Sequence, residues 1–142
     1  MALQNDAKID RLHALKLFAK CDKRALADLG SATDETTIAA GRTLITQGSR
    51  HNVAYAVESG TAEVLVDGVV VGQIPAGELI GEIGLFDPGP ASATVRAVTD
   101  MELLVIPHNR FAQILDQTPG LAAAIARELA VRLRNTDARI KG

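Results

Sequence analysis

The sequence predicts a fold of the α+β class that is mainly β: an antiparallel β-roll, or jelly-roll-like barrel, with helices at both ends. Two observations predict it. The middle of the chain is a series of short β-type runs separated by turn residues at intervals of 8–12 residues. The segments before and after it show the three- and four-residue apolar spacing of helices.

The N-terminal segment, residues 6–29, is predicted to be helical. Its apolar residues recur at spacings of three and four: Ile9, Leu12, Leu15, Phe18, Ala25, Leu26 and Leu29. Asp22 stands before a Lys-Arg-Ala sequence and suits a helix N-cap, because a short acidic side chain can accept the first free N–H groups. We therefore expect two short helices here.

The β-type runs begin at Thr36. They cover residues 36–38, 43–46, 53–57, 62–66, 69–71, 93–98 and 101–106. The Asp67-Gly68 pair between two apolar runs predicts a two-residue hairpin, since the type I′ turn requires positive φ at both positions.

The chain after Pro107 is predicted to be helical again, with a short helix over His108–Leu115 and a longer one that Pro119 opens and that runs towards Arg139. A wide apolar stripe on the longer helix should pack on the barrel and cover its mouth; it consists of Leu121, Ala122, Ile125, Ala126, Leu129 and Leu133. Ala124 and Val131 lie roughly opposite the stripe and could meet a protein partner or a second copy.

Length and composition fit one domain over residues 1–142, with N-terminal helices at 1–34, a β-roll at 35–106 and C-terminal helices at 107–142. No apolar run approaches the ~20 residues of a membrane helix, and the N-terminus has no apolar signal core. We expect a cytoplasmic protein with no membrane partner. The single cysteine, Cys21, is expected to be a small buried hydrophobe.

Catalytic and metal-binding patterns are missing from the sequence. The three histidines, His13, His51 and His108, are scattered, which disfavours a metal site and a metal-binding cupin barrel. There is no nucleophile elbow and no Ser–His–Asp spacing. We therefore expect no enzyme activity.

Charge is unevenly distributed along the chain. Residues 51–106 carry eight acidic residues and one arginine, a net charge of −7, whereas the whole chain carries −2. Nucleic-acid surfaces need clustered cations, so this region is not expected to bind nucleic acid. The simplest interpretation is a solvated acidic face.

The stretch from Gly81 to Ala97 carries the most specific pattern, Gly-Glu-Ile-Gly followed by Pro-Ala-Ser-Ala-Thr-Val-Arg-Ala. It resembles the phosphate-binding cassette of cyclic-nucleotide-binding domains, such as the regulatory subunit of cAMP-dependent kinase and the catabolite activator protein. The resemblance implies a regulatory sensor that binds cAMP or cGMP through a cassette at residues 81–94 containing a short helix. It places the nucleotide site at Gly81, Glu82, Ile83, Gly84, Ala91, Ser92 and Ala93.

The chemistry of such a cassette can be traced to individual residues. Gly81 and Gly84 let backbone N–H groups approach an anion at a helix start. By resemblance, Glu82 takes the ribose 2′-hydroxyl, and Ser92 offers a hydroxyl and an N–H to a phosphate oxygen. Each residue also has a plainer interpretation. Gly81 and Gly84 can be turn glycines, Glu82 can accept neighbouring backbone N–H groups, and Ser92 can be a solvated hydroxyl.

The position of Ala91 departs from the family pattern, because the resemblance implies an arginine there that grips the cyclic phosphate. Loss of a charge-assisted hydrogen bond costs about 1.5–3 kcal/mol, or ten- to more than a hundredfold in affinity. Arg96 lies five residues on and should face the opposite side of a strand. The alternative function is a structural or protein-interaction module that has lost nucleotide binding.

Overall fold

The fold consists of two four-stranded antiparallel sheets with helices packed on one of them. In this computed structural model, the structure describes residues 2–15, 18–19, 23–81, 89–123, 126–127, 130–131 and 134. The elements in chain order are α1 (Ala2–Ala14), α2 (Lys23–Ala32), β1 (Asp34–Ile38), β2 (Thr43–Ile45), β3 (Val53–Ser59), β4 (Ala62–Val66), β5 (Val69–Ile74), β6 (Leu79–Ile80), β7 (Thr94–Ala97), β8 (Met101–Pro107) and α3 (His108–Gln117). The predicted mainly β architecture is confirmed.

The first sheet has the strand order β1-β8-β3-β6, and we call it the covered sheet because helices lie on it. Its two central strands are buried on both faces. In β3, Ala54 and Ala56 pack with the helices, whereas Val57 packs between the sheets. Strands buried on both faces are apolar almost throughout, which explains the runs at residues 53–57 and 103–106.

The second sheet has the order β2-β7-β4-β5, and we call it the open sheet because one face meets solvent. In β7, Val95 and Ala97 are buried against the covered sheet, while Arg96 between them lies on the outer face. This alternation is typical of a half-buried strand. In the described part of the chain, the two sheets do not close into a barrel.

The open sheet ends at β5, an edge strand with an unusual sequence. Val69, Val70 and Val71 are all at least half exposed, and the strand carries no charged residue. The β4–β5 hairpin closes through Asp67 with φ 52° and Gly68 with φ 81°. The predicted Asp-Gly turn is therefore confirmed.

The N-terminal helices are fixed to the covered sheet by a core and by ion pairs. Leu12, Leu26 and Leu29 are buried in the same cluster as Leu104 and Phe111. The predicted division into two helices is confirmed, since α2 begins at Lys23. Asp22, the proposed N-cap, and Cys21 lie outside the described residues.

Arg11 of α1 forms ion pairs with two carboxylates of the covered sheet. Its guanidinium contacts Glu35 on β1, and its Nε lies 3.2 Å from Glu58 Oε2 on β3. Burial raises the pKa of Glu58, Arg11 opposes that rise, and the carboxylates of Glu35 and Glu102 add to it. Arg11 therefore offsets the repulsion among three acidic residues as α1 packs on the sheet.

The C-terminal segment differs from the prediction in where its second helix begins and in how the apolar stripe packs. Pro119 does not open the helix: it lies in a turn, and Gly120 follows with φ 89°, a conformation outside a right-handed helix. The described residues after Gly120 are helical, beginning with Leu121. Leu121 is buried, but it packs in the helix–sheet core and not over the roll interior, and Ala122 and Ala126 of the predicted stripe are exposed, so the stripe prediction is wrong for these two residues. Ala124, Ile125, Leu129 and Leu133 lie outside the described residues.

Replacing Gly60 with alanine should destabilise the fold by about 2 kcal/mol or more. Gly60 has φ 89°, and an added Cβ would lie 2.3 Å from the Asp100 carbonyl oxygen. The left-handed conformation alone costs about 1–2 kcal/mol. Gly68→Ala is the matched control, because Gly68 also has positive φ but an added Cβ meets nothing within 4 Å. Urea unfolding measures both variants, and equal losses would contradict the role of the close contact.

Candidate functional site

The candidate site is the cassette at residues 81–94 that the sequence predicts. Of its seven named residues, the structure describes Gly81, Ala91, Ser92 and Ala93. Glu82, Ile83 and Gly84, with the predicted cassette helix and the proposed carboxylate contacts, lie outside the described residues.

Position 91 is fixed by two reciprocal backbone hydrogen bonds. The N–H of Ala91 donates to the Ser49 carbonyl at 2.7 Å, and the N–H of Gly48 donates to the Ala91 carbonyl at 2.8 Å. We call residues 46–49 the bracing loop. Because its own N–H and carbonyl are both engaged, Ala91 has a defined backbone position relative to the open sheet.

The side chain of Ala91 packs against the apolar cluster between the two sheets. That cluster includes Ile45, Val95 and Tyr55, and burial there raises the pKa of Tyr55. A longer side chain at position 91 would therefore start at the roll interior.

The next two residues carry free donors. Among the described residues, the backbone N–H groups of Ser92 and Ala93 have no hydrogen-bond partner. Ser92 is exposed, so its hydroxyl is open to solvent. Two successive backbone N–H groups and a hydroxyl are donors that suit an anion.

Thr94 connects the end of the cassette to the bracing loop. Its Oγ1 accepts the Gln47 N–H at 2.9 Å. The Gln47 side chain in turn donates to Asp67 at the β4–β5 turn and accepts the Asp67 N–H. The cassette, the loop and the hairpin are thus joined through one glutamine.

Four arginines of the sequence are candidates for a cation near residue 91: Arg96, and, only through loop or lid geometry, Arg42, Arg50 and Arg132. Arg96 is bound to Glu63 on the outer face of the open sheet, with Nε 2.9 Å from Oε1. Because Arg96 faces away from the cassette interior, the predicted orientation is confirmed. Arg42 and Arg50 are exposed and form no ion pair within the described part of the chain, and Arg132 lies outside it.

The first cassette residue, Gly81, is bound by His108, whose ring packs against His51; the sequence alone leaves these two histidines scattered. His108 Nε2 lies 3.0 Å from the Gly81 carbonyl oxygen, and the His51 ring is 5.4 Å from the His108 ring in a T-shaped arrangement. These residues are 57 positions apart, so no local pattern could have predicted their meeting. No group of three or more potential metal ligands occurs among the described residues.

The chain matches the family described as "Cyclic nucleotide-binding domain" over residues 35–118, more than half of its length. The roll and its cassette therefore belong to a family of cyclic-nucleotide-binding domains. No helix in the described ranges is long and apolar enough to cross a membrane.

Two curated relatives illustrate the range of proteins that contain such a domain. The cAMP-activated global transcriptional regulator CRP of Salmonella typhimurium is 31% identical over 104 residues, which is 69% of this chain and 50% of the relative. Lysophospholipase nte1 of Aspergillus oryzae is 26% identical over 117 residues, 79% of this chain and 8% of the relative. This chain spans half or less of the length of either.

Two solved structures show the same fold. The cAMP-bound PfPKA-R structure has a TM-score of 0.85 at 16% identity and covers 99% of this chain and 48% of that chain. The cAMP-binding acyltransferase of Mycobacterium smegmatis has a TM-score of 0.78 at 30% identity, covering 94% of this chain and 43% of that one. A transcriptional regulator and enzymes are thus both among the proteins that this chain resembles over part of their length.

Thr94→Val should loosen the bracing loop and cost about 1–3 kcal/mol, because it leaves the part-buried Gln47 N–H without an acceptor. Thr94→Ser keeps the hydroxyl and serves as the control. Amide exchange at Gln47 and urea unfolding measure the effect. If exchange at Gln47 is the same in the valine and serine variants, the hydrogen bond does not hold the loop.

Proposed function

We propose that this chain is a regulatory sensor domain, without catalytic activity, that binds cAMP or cGMP weakly because Ala91 replaces a phosphate clamp. The observation that carries the proposal is the arrangement at residues 91–93. The backbone is held at Ala91, and the next two residues present two successive N–H donors and the Ser92 hydroxyl. The side chain of Ala91 itself is only a methyl group. The donors for an anion are present, and a cation is missing from this position.

The missing cation at position 91 lowers the affinity for a phosphate. A neutral backbone hydrogen bond contributes about 0.5–1.5 kcal/mol and one to a charged group about 1.5–3 kcal/mol. The acidic residues of the roll oppose a phosphate further, since residues 51–106 carry a net charge of −7. We therefore propose affinities at least tenfold below those of a domain with an arginine at this position.

The sensor would act in the cytoplasm through conformational coupling. Ligand binding at the cassette would shift an equilibrium between two positions of the C-terminal helices. Under this proposal the output passes to a protein partner or a second copy, and no nucleic acid or membrane is contacted by this domain.

Ala91→Arg should create or strengthen binding of cAMP or cGMP by at least tenfold. A guanidinium that starts at the roll interior can form two parallel hydrogen bonds with a phosphate, and by the family resemblance it would also offset the Glu82 carboxylate. Ala91→Lys should gain less, because an ammonium offers a point charge and no fork. Isothermal calorimetry of the wild type and both variants measures this, and the gain should shrink in high salt.

Two further variants make this experiment selective. Ala39→Arg adds the same charge at an exposed loop position and should leave binding unchanged. Adding Glu82→Ala to Ala91→Arg should abolish the gain if the two side chains act together. Absence of binding by the wild type, the arginine variant and the lysine variant at millimolar nucleotide would refute the sensor proposal and favour the interaction module.

The second candidate function, a structural or protein-interaction module, is favoured by exposed apolar side chains. Val131 in the C-terminal helical segment is 47% exposed. Burial of one such side chain is worth about 1.5–3 kcal/mol, which is enough to affect a contact between two copies. In this proposal the ligand site is a remnant and the C-terminal surface carries the function.

Val131→Asp should weaken a homodimer at least tenfold without unfolding the monomer, because it places a charge in the proposed contact. Ala126→Asp is the control, since Ala126 is exposed and lies about 140° away around an ideal helix. Light scattering at several concentrations measures the dimer. A monomeric wild type, or equal weakening by both substitutions, would exclude this surface as the contact.

A further inference from the structure

Two histidines connect the first residue of the cassette to the start of α3. His108 is the first residue of α3; its backbone N–H donates to the Asn52 carbonyl at 2.9 Å, and its Nε2 lies 3.0 Å from the Gly81 carbonyl oxygen. Since a carbonyl only accepts, Nε2 carries the proton. The His51 ring packs edge-on against His108, and its Nδ1 lies 3.2 Å from the Val53 carbonyl oxygen.

Gly81 is closely confined at this point. Its φ is 84°, and a Cβ there would lie 3.0 Å from the Val53 carbonyl oxygen and 3.2 Å from His51 Cε1. The Val53 carbonyl and the His51 ring thus leave no room for a side chain at residue 81, and the hydrogen bond from His108 is what joins Gly81 to α3. The strand before it, β6, is paired with β3. Its Leu79 is buried in the helix–sheet cluster, and its Ile80 is buried in the cluster between the sheets.

We propose that His108 and His51 form a proton-sensitive link through which the position of Gly81 at the cassette entrance is coupled to the start of α3. His108 is a positioning residue in this proposal, since it acts through the Gly81 carbonyl and does not touch the ligand. The link itself is a property of the fold, and its use in signalling rests on the proposed sensor function.

The chemistry of the link follows from what faces His108. His51 faces it from the loop before β3 and the Gly81 carbonyl from the end of β6. Arg110, two residues along α3, directs its guanidinium to Gln113. A second proton on His108 would place a charge in a half-buried position opposite another imidazole, so acid should strain the contact.

Burial lowers the pKa of His108 below its ordinary 6.5; the Gly81 hydrogen bond partly opposes this, and His51 lowers the pKa further. Folding therefore favours the neutral ring. Its contribution to stability is complete above pH 6.5 and is lost as the pH falls through the lowered pKa. Protonation in acid should strengthen the Nε2–H bond to the Gly81 carbonyl itself while it penalises the half-buried ring that faces His51, so the geometry of the link should change with pH.

NMR titration of the ligand-free chain tests the link directly. The ¹³C shift of the Gly81 carbonyl should titrate with the His108 ring, with a common midpoint below pH 6.5. His51→Gln should raise that midpoint, because it removes the facing imidazole. His13→Gln, a substitution on α1, is the matched control and should leave it unchanged.

Two substitutions at His108 separate the hydrogen bond from the proton. His108→Gln keeps a side-chain N–H donor and should preserve the Gly81 carbonyl shift but abolish its titration. His108→Leu fills similar space without a donor and should displace the shift at all pH values. A Gly81 signal that responds neither to pH nor to His108→Leu would overturn the proposal.

Coupling to α3 is measured with millimolar cAMP in the Ala91→Arg background. The nucleotide should shift the amide resonances of Asn109 and Arg110 when residue 108 is histidine or glutamine. The His108→Leu variant should lose this response. Equal responses in all three would overturn the coupling. If no variant binds nucleotide, the proposed function fails, whereas the titration of ligand-free Gly81 still decides whether the link exists.

Discussion

Burial of the β3–β8 pair on both of its faces is the constraint on which the rest of the structure depends. One face needs the helices and the other needs the open sheet, so neither layer can be omitted without exposing apolar surface. The pair also positions the segments next to it. Strand β6 pairs with β3 and leads into the cassette, and β8 pairs with β3 and runs directly into α3. The site and the helices that would respond to it are therefore attached to the same two strands.

The candidate site combines a rigid frame with a chemical deficit. Hydrogen bonds from the bracing loop hold residue 91, and Thr94 and Gln47 extend that support to the β4–β5 turn. A frame of this kind keeps donors in place without help from a ligand, which lowers the cost of binding. What limits affinity in our proposal is one side chain, and the geometry around it is otherwise suited to an anion.

Much of the fold could be predicted because it is encoded locally. The Asp67-Gly68 turn follows from residues that tolerate positive φ, and the paired helices follow from apolar spacing. Strand β6 was missed because two apolar residues after Pro-Ala-Gly show no alternation to detect. The contact between His51 and His108 was missed for a different reason: it arises only when β3, β6 and β8 are brought together, and no sequence period records it.

The edge strand β5 has a consequence for how this protein behaves in concentrated solution. Natural sheets usually protect an open edge with lysine, proline or an inward-pointing charge, yet the six residues of β5 carry no charge and present three exposed valines. What opposes edge-to-edge association is then long-range repulsion between acidic molecules. That repulsion disappears near the isoelectric point of about 5.9. Colloidal stability should accordingly depend on pH and ionic strength, and a single lysine in β5 would make it less dependent on both.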